Sequence, residues 1–177
     1  MQLLHSATRN YSWGSRTLIP HLQGQPDADK PVAELWFGAH PGDPSTVDGR
    51  LLNEVIAEDP AGQLGSRVSA EYGERLPFLL KVLAAEEPLS LQAHPSKAQA
   101  EEGFDRENAA GIELTASNRN YKDDNHKPEL IVALTDFYAM AGFRPLARTR
   151  ELFAALECPE LDHYVAMLDD DPSATTE

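Results

Sequence analysis

The sequence predicts a mainly β body that gives way, just after Arg144-Pro145, to the start of a helical unit. Three observations lead there. From Met1 to about Pro145, short apolar runs are separated by turn signals rich in Pro and Gly. Beyond Pro145 the apolar spacing changes from strand-like to helix-like. Hydrophobic residues make up 41% of the 177 and charged residues 25%, enough apolar side chains for a packed core.

Taken in order, Ala33-Glu34-Leu35-Trp36-Phe37-Gly38 is the first strand candidate, and the Pro- and Gly-dense Ala39–Ser45 that follows is loop. Leu51 to Ala57 and Gly62 to Tyr72 suit short helices or turns. Leu76–Leu83 and Pro88–His94 are strands by composition and boundaries. Ser96 is placed to cap a helix through Phe104, and Gly111–Asn125 is polar loop. Pro128–Asp136 and Phe137–Phe143 follow as two further strands. Thr149 then stands as a cap, and Leu152, Phe153, Leu156, Leu161, Tyr164, Val165 and Leu168 recur at helical spacing, with Pro159 splitting the run in two. The expected division is a body over 1–147 and a truncated helical start over 148–177.

Charge and cysteine usage limit the function. The net charge of -14 leaves no clustered cationic surface for a nucleic acid. Cys158 is the single cysteine, so no internal disulfide forms, and a reducing compartment is expected. The N-terminal residues Met1–Gly14 show no secretory pattern, and no apolar run is long enough for a membrane span. A cytoplasmic chain without nucleic-acid or membrane partners is the expectation.

Three segments carry candidate chemistry. In Leu89-Ser90-Leu91-Gln92-Ala93-His94, strand alternation puts Ser90, Gln92 and His94 on one face, where Gln92 and His94 could reach one ion. A half-exposed strand with a wet polar face gives the same pattern. Glu129 opens the apolar run Leu130–Leu134, where a buried carboxylate needs a cation; a plain pair with Lys127 at a strand end is the alternative. Lys81 interrupts Pro77–Leu83, either as a cation for an anionic ligand or as an edge-strand lysine that blocks strand addition. His and Glu suit zinc, and a set with one carboxylate leaves the ion net positive charge for Lewis-acid work.

Five stretches carry a family resemblance, in order along the chain: Tyr11–Gly14, Ala33–Pro41, Pro77–Leu83, Leu89–Pro95 and Asn120–Glu129. Together they resemble type I mannose-6-phosphate isomerases (phosphomannose isomerases). The resemblance implies a cupin-type (jelly-roll) β-barrel portion, an inserted helical domain, one zinc per chain and interconversion of mannose 6-phosphate and fructose 6-phosphate. It implies Gln92, His94 and Glu129 as zinc ligands. Lys127 and Lys81 are the implied catalytic residues, with Ser90, Trp13 and Glu34 facing the sugar-phosphate substrate. The reaction serves both mannose catabolism and the synthesis of mannose donors such as GDP-mannose. The family's further zinc-ligating histidine and its active-site arginine have no matching positions here. The expectation is therefore an N-terminal fragment inactive by itself, from a protein monomeric at full length. The alternative is a non-catalytic cupin-like module that binds sugar phosphates.

Overall fold

The computed structural model describes residues 2–89 and 92–168. The chain divides into two compact units, one up to Leu91 and one from Gln92 onward. Its architecture corrects the expected mainly β, cupin-type barrel. Among the described residues it is mixed α/β, with two small open sheets of three strands each.

The first unit holds both sheets. Strands β1 (Leu4–His5), β4 (Thr46–Val47) and β5 (Arg50–Leu51) form one; β2 (Ala7–Arg9), β3 (Glu34–Gly38) and β6 (Leu79–Leu83) form the other. All pairings are antiparallel. The β4–β5 turn is Asp48-Gly49, with φ of 50° and 78°. Two successive positive φ values are what a two-residue hairpin turn needs to match strand twist, and Asp-Gly meets that need at low cost.

β3 organises the second sheet. Its register sets Leu35 against Val82 and Trp36 against Lys81. Alternation therefore sends Leu35, Phe37 and Val82 to one face, where they meet Ile19 of α1 (Leu18–Leu22), Val32 and Ala84 in the core. Glu34, Trp36 and Lys81 take the opposite face. The segment before α1 locks to the sheet by backbone: Ser15 N–H donates to the Ala84 carbonyl at 2.9 Å, and the Ser15 carbonyl accepts from Val32 N–H at 2.9 Å. Gly14 permits this approach, because a Cβ there would stand 2.6 Å from Ala33.

Three short helices, α2 (Leu52–Glu58), α3 (Pro60–Leu64) and α4 (Ser66–Tyr72), lie where short helices are expected. Asp59 caps α3 by accepting from Gly62 N–H at 3.1 Å, with Pro60 in the first turn, and Gly65 at φ 80° separates α3 from α4.

The second unit is built on α5 (Lys97–Ala109), α6 (Leu146–Leu156), a 3-10 turn (Pro159–Leu161) and α7 (Asp162–Val165). Ser96 caps α5 in a reciprocal capping box with Gln99. The helix runs past the expected Phe104 because Asp105–Asn108 contains no breaker. Thr149 does not cap α6; the helix starts earlier, at Leu146, and the Thr149 hydroxyl donates back to the Pro145 carbonyl. Pro159 separates the last helices as expected.

The expected strands over 128–136 and 137–143 are corrected: none of these residues is in a strand. The described parts of Pro88–His94 are likewise not strand, while Ser90 and Leu91 lie outside the described residues. Alternating apolar residues mark faces, but a strand exists only where a neighbour completes its ladder. No described strand pairs with Leu130–Phe143.

Candidate active site

In the second unit, Gln92-Ala93-His94-Pro95 leads into the capped start of α5 and forms one wall of a cleft of about 320 Å³. The other wall is the loop carrying Asn120, Tyr121 and Lys122, which continues to Lys127. The His94 Nε2 and Gln92 Oε1 atoms face each other at 3.2 Å. The two side chains therefore converge as the sequence predicts, although no described strand underlies them.

The donor chemistry fits zinc. An imidazole nitrogen is a usual zinc ligand, and an amide oxygen beside it would supply a neutral second donor. Here the two atoms are hydrogen-bonded to each other. Both residues are exposed to the cleft, so neither needs to leave a packed interior. Glu129 lies two residues beyond Lys127 and is exposed. Among the described residues, no three His, Cys, Asp or Glu side chains gather in one place. The structure thus brings together Gln92, His94 and Lys127. The backbone bearing Glu129 has no described strand partner to fix its direction.

The Asn120–Asn125 wall rests on α5 at two places. Near the helix start, Lys97 Nζ donates to the Asp124 carbonyl at 2.7 Å and pairs with the Asp124 carboxylate at 3.5 Å. Hydrogen bonding to Glu101, with nearby Asp124, holds the Lys97 ammonium above its ordinary pKa. Near the helix end, the buried Glu107 carboxylate accepts the Tyr121 N–H at 2.9 Å and the Asn120 N–H at 3.1 Å. These bonds, the Tyr121 amide first, pull the Glu107 pKa down.

Two expected results follow. Because the folded pKa of Glu107 is lowered, its contribution to stability is full above the unfolded value and is lost as pH falls through the folded one. Protection factors of the Asn120 and Tyr121 amides should therefore decrease as the pH falls below the ordinary glutamate value of 4.5 and through the lower folded one. Constant protection through the acid range would contradict this. The second concerns Gly103, whose added Cβ would lie 2.5 Å from the Tyr121 ring. Gly to Ala inside a helix ordinarily stabilises by roughly 1 kcal/mol. Here Gly103→Ala should destabilise, by about 1–3 kcal/mol from overpacking, as read by urea unfolding. A net gain in stability would show that Tyr121 is free to move aside.

The remaining predicted residues lie in the first unit, except Ser90, which is outside the described residues. On the polar face of β3, Lys81 Nζ sits 3.6 Å from Glu34 Oε1 and 5.0 Å from the Trp36 ring centre. Glu34 is buried and accepts the Trp36 indole N–H at 2.8 Å. Arg9 covers the same indole at 4.9 Å, lies 5.2 Å from the Tyr11 ring and is tied to Asp43 at 2.7 Å. Trp13 stacks on Tyr11 at 5.5 Å. A larger cleft of about 400 Å³ in this unit is bordered by Glu86, Glu87 and Arg16, a poor setting for a phosphate.

Sequence reasoning passed over Arg9, Glu107 and Arg119. For Glu107 a signal existed: Ala100, Gly103 and Glu107 are spaced at i, i+3 and i+7 along α5, and all three are buried. A carboxylate on a stripe of small buried residues must have partners. Arg119 sits in an aperiodic loop, where no spacing announces a buried cation.

Comparison with known proteins adds to this geometry. The profile described as phosphomannose isomerase type I, catalytic domain, matches residues 1–146. The mannose-6-phosphate isomerase of Escherichia coli (strain K12) is 45% identical over 177 residues, covering 96% of this chain and 45% of the relative. The human mannose-6-phosphate isomerase is 41% identical over 157 residues, covering 81% of this chain and 34% of the relative. A crystal structure of the Salmonella typhimurium mannose 6-phosphate isomerase bound to substrate (fructose 6-phosphate) and zinc superposes with a TM-score of 0.80 at 43% identity. It covers 94% of this chain and 44% of that one. The chain thus spans less than half the length of these relatives. Among the described residues, no helix is long and apolar enough to cross a membrane.

Proposed function

We propose that this chain, which belongs to the type I phosphomannose isomerase family, supplies the zinc-holding part of an enzyme that interconverts mannose 6-phosphate and fructose 6-phosphate. The observation that carries this reading is the Gln92–His94 pair facing one cleft with Lys127. Gln92, His94 and Glu129 would hold the ion. Zinc, when bound, supplies an electrophile for the substrate's oxygens.

The chain's own residues account for the rest. Aldose–ketose isomerisation moves a proton between adjacent carbons and needs charge stabilisation at the neighbouring oxygens. Lys127, which borders the cleft, is the proposed donor to a substrate oxygen. Lys81 is the second proposed catalytic lysine; Glu34 and the Trp36 face restrain its ammonium. Ser90, Trp13 and Glu34 are the proposed substrate-facing residues. The division at about residue 147 and a cytoplasmic setting, suggested by the lone Cys158, belong to the same reading.

Calorimetric titration with fructose 6-phosphate in zinc buffer, beside a coupled isomerase assay, tests the proposal. The 177-residue chain is expected to bind the sugar phosphate, and Lys127→Ala to weaken that binding. Turnover by this chain should be small, since the family's further histidine ligand and arginine have no matching positions in it. Failure to bind with or without zinc would reject the reading. Binding without turnover, even when the remaining half of a relative is supplied, would favour a non-catalytic sugar-phosphate module.

A further inference from the structure

Glu107 and Arg119 are buried charges that line neither of the two clefts described; their side chains are 8% and 0% exposed and stand 3.0 Å apart. Their hydrogen bonds converge on the backbone of the cleft wall. Glu107 accepts the Asn120 and Tyr121 N–H groups and the Asn120 side-chain amide at 3.2 Å. Arg119 Nε donates to the Tyr121 carbonyl at 2.5 Å, Nη1 to the Ile112 carbonyl at 2.6 Å and Nη2 to Asn108 Oδ1 at 2.8 Å. The guanidinium also packs over Phe104, 5.1 Å from its ring centre. The N–H and the C=O of Tyr121 are thus held by opposite members of one ion pair. Asn120, Tyr121 and Lys122 form the wall facing Gln92 and His94.

We infer that Glu107 and Arg119 are positioning residues for the sugar-phosphate site. They hold the Asn120–Lys122 wall at the distance from Gln92 and His94 that the ligand requires. This rests on the functional reading above. A buried ion pair is an expensive way to secure a loop, because each charge loses its hydration and replacing the pair by apolar groups is often neutral or stabilising. What the pair provides and an apolar contact cannot is direction. A planar fork and a two-oxygen acceptor together set the rotation of the peptide units at 119–121. The opposite wall, carrying Gln92 and His94, receives none of the hydrogen bonds described for either residue. Loss of the pair should therefore weaken sugar-phosphate binding while sparing the metal.

The experiment measures fructose 6-phosphate and zinc affinities separately, in the full chain and in Glu107→Gln and Arg119→Lys. The first variant keeps the shape of the acceptor without its charge; the second keeps the charge without the fork. Amide exchange at Asn120 and Tyr121 and the helical circular dichroism accompany both. Exposed Glu102→Gln on the same helix is the control. The expected result is fructose 6-phosphate binding weakened by roughly ten- to one-hundred-fold in both variants, with zinc affinity within about two-fold, as outer supporting residues behave at other sites. Exchange at Asn120 and Tyr121 should rise while the helical signal stays. Unchanged sugar-phosphate affinity in either folded variant overturns the inference. Parallel loss of zinc, sugar phosphate and helical signal in both also overturns it, since that marks a general stabilising role. Failure of the unaltered chain to bind fructose 6-phosphate rejects the functional reading, and this inference with it. Binding by the unaltered chain that both variants match rejects the inference alone.

Discussion

Replacing His94 with alanine is expected to abolish retention of zinc by this chain through gel filtration, with the affinity falling by more than about 100-fold. Loss of an outer supporting residue at a metal site already costs roughly ten- to one-hundred-fold, and removal of a ligand costs more. The effect is large because the proposed set is thin. His94 is its only imidazole, and its loss would leave Glu129 and the Gln92 oxygen, a weak neutral donor 3.2 Å away, as the remaining pair. Gln92→Ala should fall in the same direction by less, since an uncharged ligand contributes less than a nitrogen base. His126→Ala is the comparison. That side chain is exposed, and the neighbouring residues that border the cleft are Asn125 and Lys127. Zinc content by atomic emission and competition with a chromophoric chelator are the two readouts. Equal loss in the His94 and His126 variants, or no loss in either, would remove Gln92 and His94 from the ligand set.

The purified 177-residue chain is expected to self-associate at concentrations of about 50 μM, in the range where exposed apolar surface drives aggregation. The cause is the run from Leu130 to Phe143. Leu130, Tyr138, Met140 and Phe143 are 90%, 95%, 90% and 89% exposed, and Val132 and Leu134 are more than two-thirds exposed. Both parities of an extended chain are apolar here, and no described strand pairs with it. Such a segment offers another chain an open backbone and two hydrophobic faces. Introducing charge on the run, as in Val132→Lys with Met140→Lys, should move the sedimentation profile from large species to monomer. The core of the first unit around Ile19, Leu35 and Ala84 should be untouched. A parent chain that is monomeric at this concentration would contradict the prediction.

The same run shows where strand patterns stop being informative. Pro128–Phe143 has the composition of two strands, yet none forms, because the ladder that makes a strand belongs to its neighbour. Ala33–Gly38 and Leu76–Leu83 have no stronger pattern. They become β3 and β6 because their registers meet residue for residue, Leu35 on Val82 and Trp36 on Lys81. The Ser96 cap of α5 was read from the sequence; the Asp48-Gly49 hairpin was not, although its dipeptide is a turn signal. Closure into a barrel was not legible in any local pattern. It came with the family resemblance, and the small open sheets correct it.

By itself the sequence determined the family, through five short motifs in order, and it singled out Gln92 and His94, whose side chains lie 3.2 Å apart. Local chemistry was enough for both. The tertiary structure alone decided that Glu107 and Arg119 grip the peptide of Tyr121, and that Lys81 lies between Glu34 and the face of Trp36. The reason is physical. A side chain's hydrogen bonds within a few residues follow from backbone geometry, whereas the partner of a buried charge twelve or more residues away is chosen by packing.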